Sequence, residues 1–387
     1  MSTDPQKLRG TVAIVGVAES DEMGKLPHKS ALQLHMEATR NALDDAGLQK
    51  SDIDAVFTSG RNMASDLPEY LGIRPRFVDG TQVGGCSFIL HIEHALAAIN
   101  AGLCEVALIT HGESGYSRIA MPAPRWGDDS TNNQFELPYG IAGPATGYGF
   151  LATRHMHAYG TTSEQLAEVA VATRQWAALN PKALMRDPIT IADVLASRLI
   201  AWPFHLLDCC LVTDAGGAVI VTSAERARDL RKKPVYVLGT GECTTHQMVS
   251  QMPAFDKWDA GIIAGQRAFA MSGVTHADID VAEFYDAFTI VPMLALEALG
   301  FCKPGESGAF VSGQRTAPGG DFPMNTNGGG LSYTHTGMYG IFTLIEAARQ
   351  LRGECGARQV ADATVAICHG TGGIWSAAAT MIAATEV

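Results

Sequence analysis

The feature that most constrains this 387-residue chain is an internal repeat. The segment "GLQKSDIDAV" at 47–56 returns as "GVTHADIDVA" at 273–282, 226 positions later, with Gly47 over Gly273 and Asp-Ile-Asp over Asp-Ile-Asp. The run "TVAIVGVAE" (11–19) likewise resembles "PVYVLGTGE" (234–242), and "EVALITHG" (105–112) matches "TVAICHG" (364–370). Between these β-rich runs stand helical patterns, "ALQLHMEATRNALDDAG" and "GIIAGQRAFAMSG" first, then "HIEHALAAINAG" and "IFTLIEAARQLRG". Repetition of a strand, helix, strand order indicates a duplicated α/β unit. The expected organisation is two halves, 1–232 and 233–387, the first carrying an insertion at about 113–205. That insertion is richer in Pro, Asn, Trp, His and Met ("MPAPRWGDDSTNNQFELPYG", 121–140) and is expected to form a lid or substrate-binding region.

Composition narrows the function classes. With 47% hydrophobic and 18% charged residues the chain reads as a globule with a large core. A formal net charge of −12 excludes a general nucleic-acid binder, and the one basic run, "RARDLRKKP" (226–234), reads as a solvated helix end and linker. No apolar run reaches the ~18–20 residues of a membrane span, and the polar "MSTDPQKLRG" start carries no secretory or transit pattern. The eight cysteines are scattered, with Cys209 and Cys210 adjacent rather than spaced as C-x-x-C, so a reducing cytoplasm is the expected location. His91 and His94 stand on one helix and His155 and His157 in the insertion, without zinc-ligand spacing, so no metal is expected. Nucleotide phosphate loops are also absent, since "GGG" at 328–330 fits neither glycine-rich signature.

Three stretches fall where strands end and helices begin, which is where open α/β folds meet ligands. In "GGCSF" (84–88), Cys86 stands at a helix start, whose unpaired N–H groups and partial positive charge favour thiolate. Alone, a free cysteine is more often a packed core residue. In "NTNGGGLSYTHTGMYG" (325–340), the glycines indicate close backbone approach, and the repeat sets His335 opposite Cys86, as a base opposite a nucleophile. In "CHGTGG" (368–373), Cys368 adds a second thiol beside a glycine turn whose N–H groups can face an oxyanion.

These blocks resemble the thiolase superfamily, in its sterol-carrier-protein-thiolase-like branch. The resemblance spans nearly the whole chain through "GGCSF", "FHLLDCCLVTDAGGAVIVTS" (204–223), "AEFYDAFT" (282–289), "NTNGGGLSYTHTG" (325–337) and "CHGTGG", in the family's order. It implies an α/β thiolase fold, with duplicated βαβαβαββ halves in a five-layer αβαβα core and an inserted loop domain. It also implies acyl-CoA substrates, coenzyme A as co-substrate with no bound cofactor, and a homodimer or dimer of dimers. Members of this branch are often paired with a small zinc-ribbon/OB-fold subunit, which is the expected partner. By position, Cys86 would take the acyl group, His335 would activate it, and Cys368 would move a proton. Backbone N–H groups of Cys86 and Gly370 would form the oxyanion hole.

Two departures shape the expected reaction. Where the family usually has Asn-Glu-Ala-Phe or His-Asp-Cys-Phe, this chain has "YDAF", so Tyr285 replaces the group that positions a water; a phenol can donate a hydrogen bond or transfer a proton. The usual Gly-His-Pro has become "THT" around His335. The leading expectation is thiolytic cleavage of a bulky, branched or aromatic 3-oxoacyl-CoA through a Cys86 acyl-enzyme. The alternative is a retro-aldolase of the steroid side-chain type, acting on a 3-hydroxyacyl-CoA with Tyr285 as proton-transfer group. A non-catalytic acyl-CoA carrier has no use for two thiols and a histidine at matched strand and helix ends.

Overall fold

A computed structural model describes residues 5–60, 63–119 and 130–387. Nine strands form one hydrogen-bonded order: β1 (Val12–Glu19), β2 (Ala55–Phe57), β3 (Phe77–Asp79), β4 (Val106–Ser114), β5 (Asp214–Ser223), β6 (Val235–Thr244), β7 (Val281–Phe284), β8 (Val365–Gly372) and β9 (Ala377–Ala384). The spatial order is β3-β2-β4-β5-β1-β6-β9-β8-β7. β1 and β6 meet at its centre through only two residue pairs, Ala13 with Tyr236 and Ile14 with Val235. Outward from that junction the arms mirror one another: β5 and β9 run antiparallel to both neighbours, and β2 and β7 lie parallel to β4 and β8. The runs that repeat in the sequence therefore occupy mirrored places in the sheet.

The principal helices are α1 (Ala31–Ala46), α2 (Ser87–Asn100), α3 (Pro144–Tyr159), α4 (Ser163–Leu179), α5 (Asp259–Ser272), α6 (Ile290–Leu299) and α7 (Gly340–Arg352). α1 packs on β1, β4 and β5, and α5 on β6 and β9. α2 and α7 touch strands of both arms and each other, which makes them the middle of five layers. This explains why β1 is buried at all eight positions and reads as an unbroken apolar run rather than an alternating one.

Helix ends follow local chemistry. Ser30 caps α1 in a capping box with Gln33. Gly47 and Gly273, the aligned glycines of the repeat, close α1 and α5 at φ 71° and 66°, a left-handed conformation that favours glycine. The insertion is more regular than its composition predicts. α4 buttresses the glycine-rich loop, with Arg174 Nε donating to Ser332 Oγ at 2.8 Å and Asn180 Nδ2 to the Asn327 carbonyl at 2.8 Å. Residues 121–129 of the "MPAPRWGDDS" stretch lie outside the described residues.

Candidate active site

Cys86 is fully buried at the N-cap of α2, in the middle layer. The turn before it is pressed against β8: a Cβ on Gly372 would meet the Val83 carbonyl and lie 3.1 Å from Cys86 Sγ. A Cβ on Gly370 would lie 3.1 Å from Cys86 Cβ, so the strand end carrying Cys368 passes directly beside Cys86. The first N–H of α7, at Gly340, donates to the Gly85 carbonyl at 3.2 Å and fixes the turn from the other side.

Tyr285 follows β7, its N–H donating to the His369 carbonyl at 2.9 Å. Its ring lies over Gly85, where a Cβ would come within 2.6 Å of the phenol oxygen. Only glycine allows this approach, which brings the phenol to the turn that presents Cys86. The Tyr285 hydroxyl stands 2.9 Å from His335 Nε2 and 3.4 Å from the Gly337 carbonyl. Burial pushes the phenol well above its ordinary value, with the Cys210 thiol adding to the effect.

The loop carrying His335 is clamped in several ways. Asp286 accepts from the Gly330 N–H at 2.6 Å and the Leu331 N–H at 3.3 Å, which holds the π-turn Gly329–Tyr333. Thr213 Oγ1 accepts from the His335 N–H at 3.0 Å, while the Thr213 N–H donates to the His335 carbonyl at 3.0 Å. The flanking threonines do what a proline would do by rigidity: Thr334 bonds Thr213 at 2.8 Å and Thr336 bonds His111 at 2.6 Å. Burial lowers His335 to about 4, so its imidazole is neutral at physiological pH and able to accept a proton.

The surroundings of these groups bear on their ionisation and placement. Burial, only partly opposed by a backbone hydrogen bond at the helix start, pushes the Cys86 thiol up to about 12 and works against thiolate. His335 is engaged by Tyr285 and stands five residues before α7 begins, across a bend, rather than at a helix start like Cys86. Cys368 is buried on β8 and directs its thiol to the Thr343 carbonyl at 3.5 Å; burial, then the neighbouring Glu283, raises it well above an ordinary thiol. No group of residues able to hold a metal ion occurs among the described residues.

Sequence reading missed several residues near this centre. Tyr148, in the insertion, donates to the Gly373 carbonyl at 2.9 Å and lies 3.1 Å from Thr371 Oγ1. Cys210, read only as half of an adjacent pair, is tied by its N–H to the Ala287 carbonyl at 2.9 Å. Thr213 lies inside the block 204–223 without being singled out there, and Glu113 stands one residue beyond the repeated run 105–112.

A duplicated α/β order converging on a buried cysteine, tyrosine and histidine defines an enzyme of the thiolase fold. A family model described as "Thiolase C-terminal domain-like" matches residues 241–385. The chain is 39% identical over 362 residues to a 17-hydroxy-3-oxo-4-pregnene-20-carboxyl-CoA lyase of Mycobacterium tuberculosis, covering 89% of this chain and 92% of that one. It is 32% identical over 381 residues to an acetyl-CoA acetyltransferase of Methanothermobacter thermautotrophicus, covering 96% and 98%. The solved structure of an Ltp2-ChsH2(DUF35) aldolase matches with a TM-score of 0.89 at 33% identity, covering 97% of this chain and 98% of that one. The chain belongs to the thiolase superfamily, in its sterol-carrier-protein-thiolase-like branch.

Proposed function

We propose that this enzyme cleaves a bulky 3-hydroxyacyl-CoA by retro-aldol fission, with Tyr285 and His335 moving the proton. The observation that carries the reading is the 2.9 Å contact between the Tyr285 hydroxyl and His335 Nε2, beside a cysteine whose thiol burial keeps protonated. The substrate hydroxyl proton passes to the Tyr285 oxygen as the phenol proton passes to His335 Nε2. The bond between the α- and β-carbons breaks, the β-carbon becomes a ketone or aldehyde, and the electron pair remains as a thioester enolate. The proton on His335 returns through Tyr285 to the α-carbon. A neutral imidazole in a buried site suits this exchange, since proton transfer is most effective between positioned groups screened from water.

The similarity to a lyase and to an aldolase, each extending over most of both chains, supports this reading. The substrate named for that lyase carries a 17-hydroxyl and a 20-carboxyl-CoA, which supports a steroid-like acyl group with a tertiary hydroxyl here. A second reading, thiolysis through Cys86, is supported by the closeness of Cys86 to Gly370 and Gly372 and by the similarity to an acetyltransferase. In it, Cys86 would be acylated, Cys368 would move the proton, and the N–H groups of Cys86 and Gly370 would bind the oxyanion. Omitting coenzyme A separates the two: retro-aldol fission of (1-hydroxycyclopentyl)acetyl-CoA yields cyclopentanone and acetyl-CoA without it. An absolute requirement for free coenzyme A would overturn the proposal.

A homodimer with a small zinc-ribbon/OB-fold partner subunit completes the proposal. The matched aldolase is named as two components, Ltp2 and ChsH2(DUF35), which supports a partner here. Gel filtration of the chain alone and after co-expression with a small zinc-ribbon/OB-fold protein tests it: co-elution as one complex is expected, and separate elution overturns the partner.

A further inference from the structure

Glu113, near the end of β4, is a partly buried acid, its side chain 22% exposed, that the proton exchange above does not use. Its carboxylate lies against Gly337, where a Cβ would come within 2.7 and 2.8 Å of its two oxygens. The Gly337 carbonyl, in turn, accepts from the Tyr285 hydroxyl at 3.4 Å. Glu113 Oε2 is buried and has no hydrogen-bond partner among the described residues. An unpaired buried carboxylate oxygen is destabilising, so its place beside the proton-transfer pair calls for a function.

The groups that face it do not neutralise it. His111 Nε2 is 3.9 Å from Glu113 Oε2, but that nitrogen is engaged with Thr336, and burial keeps the ring neutral. His35, on α1, packs edge-on to His111 with ring centres 6.2 Å apart, and burial lowers it to about 3. Asp214, on β5, is committed to the N–H groups of Leu26, Tyr116 and Ser117. Arg118, after β4, attracts the carboxylate from a distance at which no ion pair forms among the described residues. Tyr285 and His335 are titratable groups of the strand end and loop around it, together with Tyr339, whose ring lies 5.7 Å from that of Tyr285 and 6.3 Å from that of His335.

We infer that Glu113 is a positioning residue for the Tyr285–His335 pair, its negative charge favouring a proton on that pair. The inference rests on the proton-exchange reading of the site. During the exchange the pair passes from neutral to positively charged, and a fixed negative charge in the same low-dielectric site stabilises that state. The same charge opposes formation of phenolate at Tyr285. Burial, opposed by Arg118, places the Glu113 carboxyl at about 7, so the charge is acquired as pH rises through neutrality.

A fluorinated tyrosine installed at 285 gives a phenol that titrates within the stable range of the enzyme, and its absorbance is followed in the full chain without substrate. Glu113→Gln is expected to lower its midpoint, and Glu113→Asp to restore it. An unchanged midpoint in Glu113→Gln overturns the inference, and this readout is independent of which reaction the enzyme performs. With (1-hydroxycyclopentyl)acetyl-CoA and no coenzyme A, Glu113→Gln is expected to lose on the order of tenfold in kcat with KM little changed, and to lose the rise in kcat around pH 7. A Glu113→Gln enzyme with the parent pH profile also overturns it. Failure of coenzyme-A-independent cleavage instead counts against the retro-aldol reading alone, because the phenol titration still decides the role of Glu113.

Discussion

Tyr285 Oη and His335 Nε2 stand 2.9 Å apart with both rings buried, their planes 88° apart. The two residues reach this contact from different elements, one from the end of β7 and one from the loop before α7, so the pair forms only when that loop packs against the strand end.

Tyr285→Phe keeps the ring and removes the hydroxyl. Loss of a positioned proton-transfer group predicts a fall in kcat on the order of 10²- to 10⁴-fold, with the fold intact by circular dichroism. Near-parental activity in this variant would remove Tyr285 from the chemistry.

Cys86 tests the two readings against each other. With burial pushing its thiol up to about 12, Cys86 is expected to be alkylated by iodoacetamide near pH 8 far more slowly than a free cysteine. Mass spectrometry of the labelled peptide over time measures this. Cys86→Ala is expected to retain cleavage without coenzyme A; complete loss would favour the acyl-enzyme.

Gly85→Ala places a methyl group inside the Tyr285 ring. Because the opposing atoms belong to a packed aromatic ring rather than a flexible chain end, the expected cost is about 1–3 kcal/mol. Denaturant unfolding should show that loss, and kcat should fall more steeply than stability as Tyr285 is displaced from His335.

His94, on α2, bonds Asp79 at the end of β3 and lies 3.5 Å from Glu242 on β6, linking the two arms. The Asp79 bond, then Glu242, raises its imidazole from 6.5 to about 10. A raised folded-state value means the stabilisation is complete below about 6.5 and is lost as pH rises towards about 10. Denaturation between those limits should show a loss on the order of 1 kcal/mol, modest because solvent screens this half-buried site. His94→Gln should lack that slope.

Much of the fold was legible because local rules and repetition agree. Gly47 and Gly273 align in the sequence because each ends a helix in a left-handed turn, and the runs that repeat are the strands that mirror one another about β1 and β6. The insertion was less legible: α4 is a regular helix whose role, holding the loop around Ser332 and Asn327, depends on contacts about 150 residues distant.

The sequence by itself determined the duplicated α/β order, the family, and the presence of Cys86, Tyr285, His335, Gly370 and Cys368 near strand and helix ends. These follow from periodicity, glycine placement and short motifs, all of which are local. Only the tertiary structure decided the protonation and partnership of those groups. Burial reversed the expected ease of ionising Cys86, the space left by Gly85 turned Tyr285 towards His335, and the fold set Glu113 against Gly337, 224 residues further along the chain. Proton affinity depends on the solvent and charge around a side chain, and that surrounding is assembled from segments that no local pattern connects.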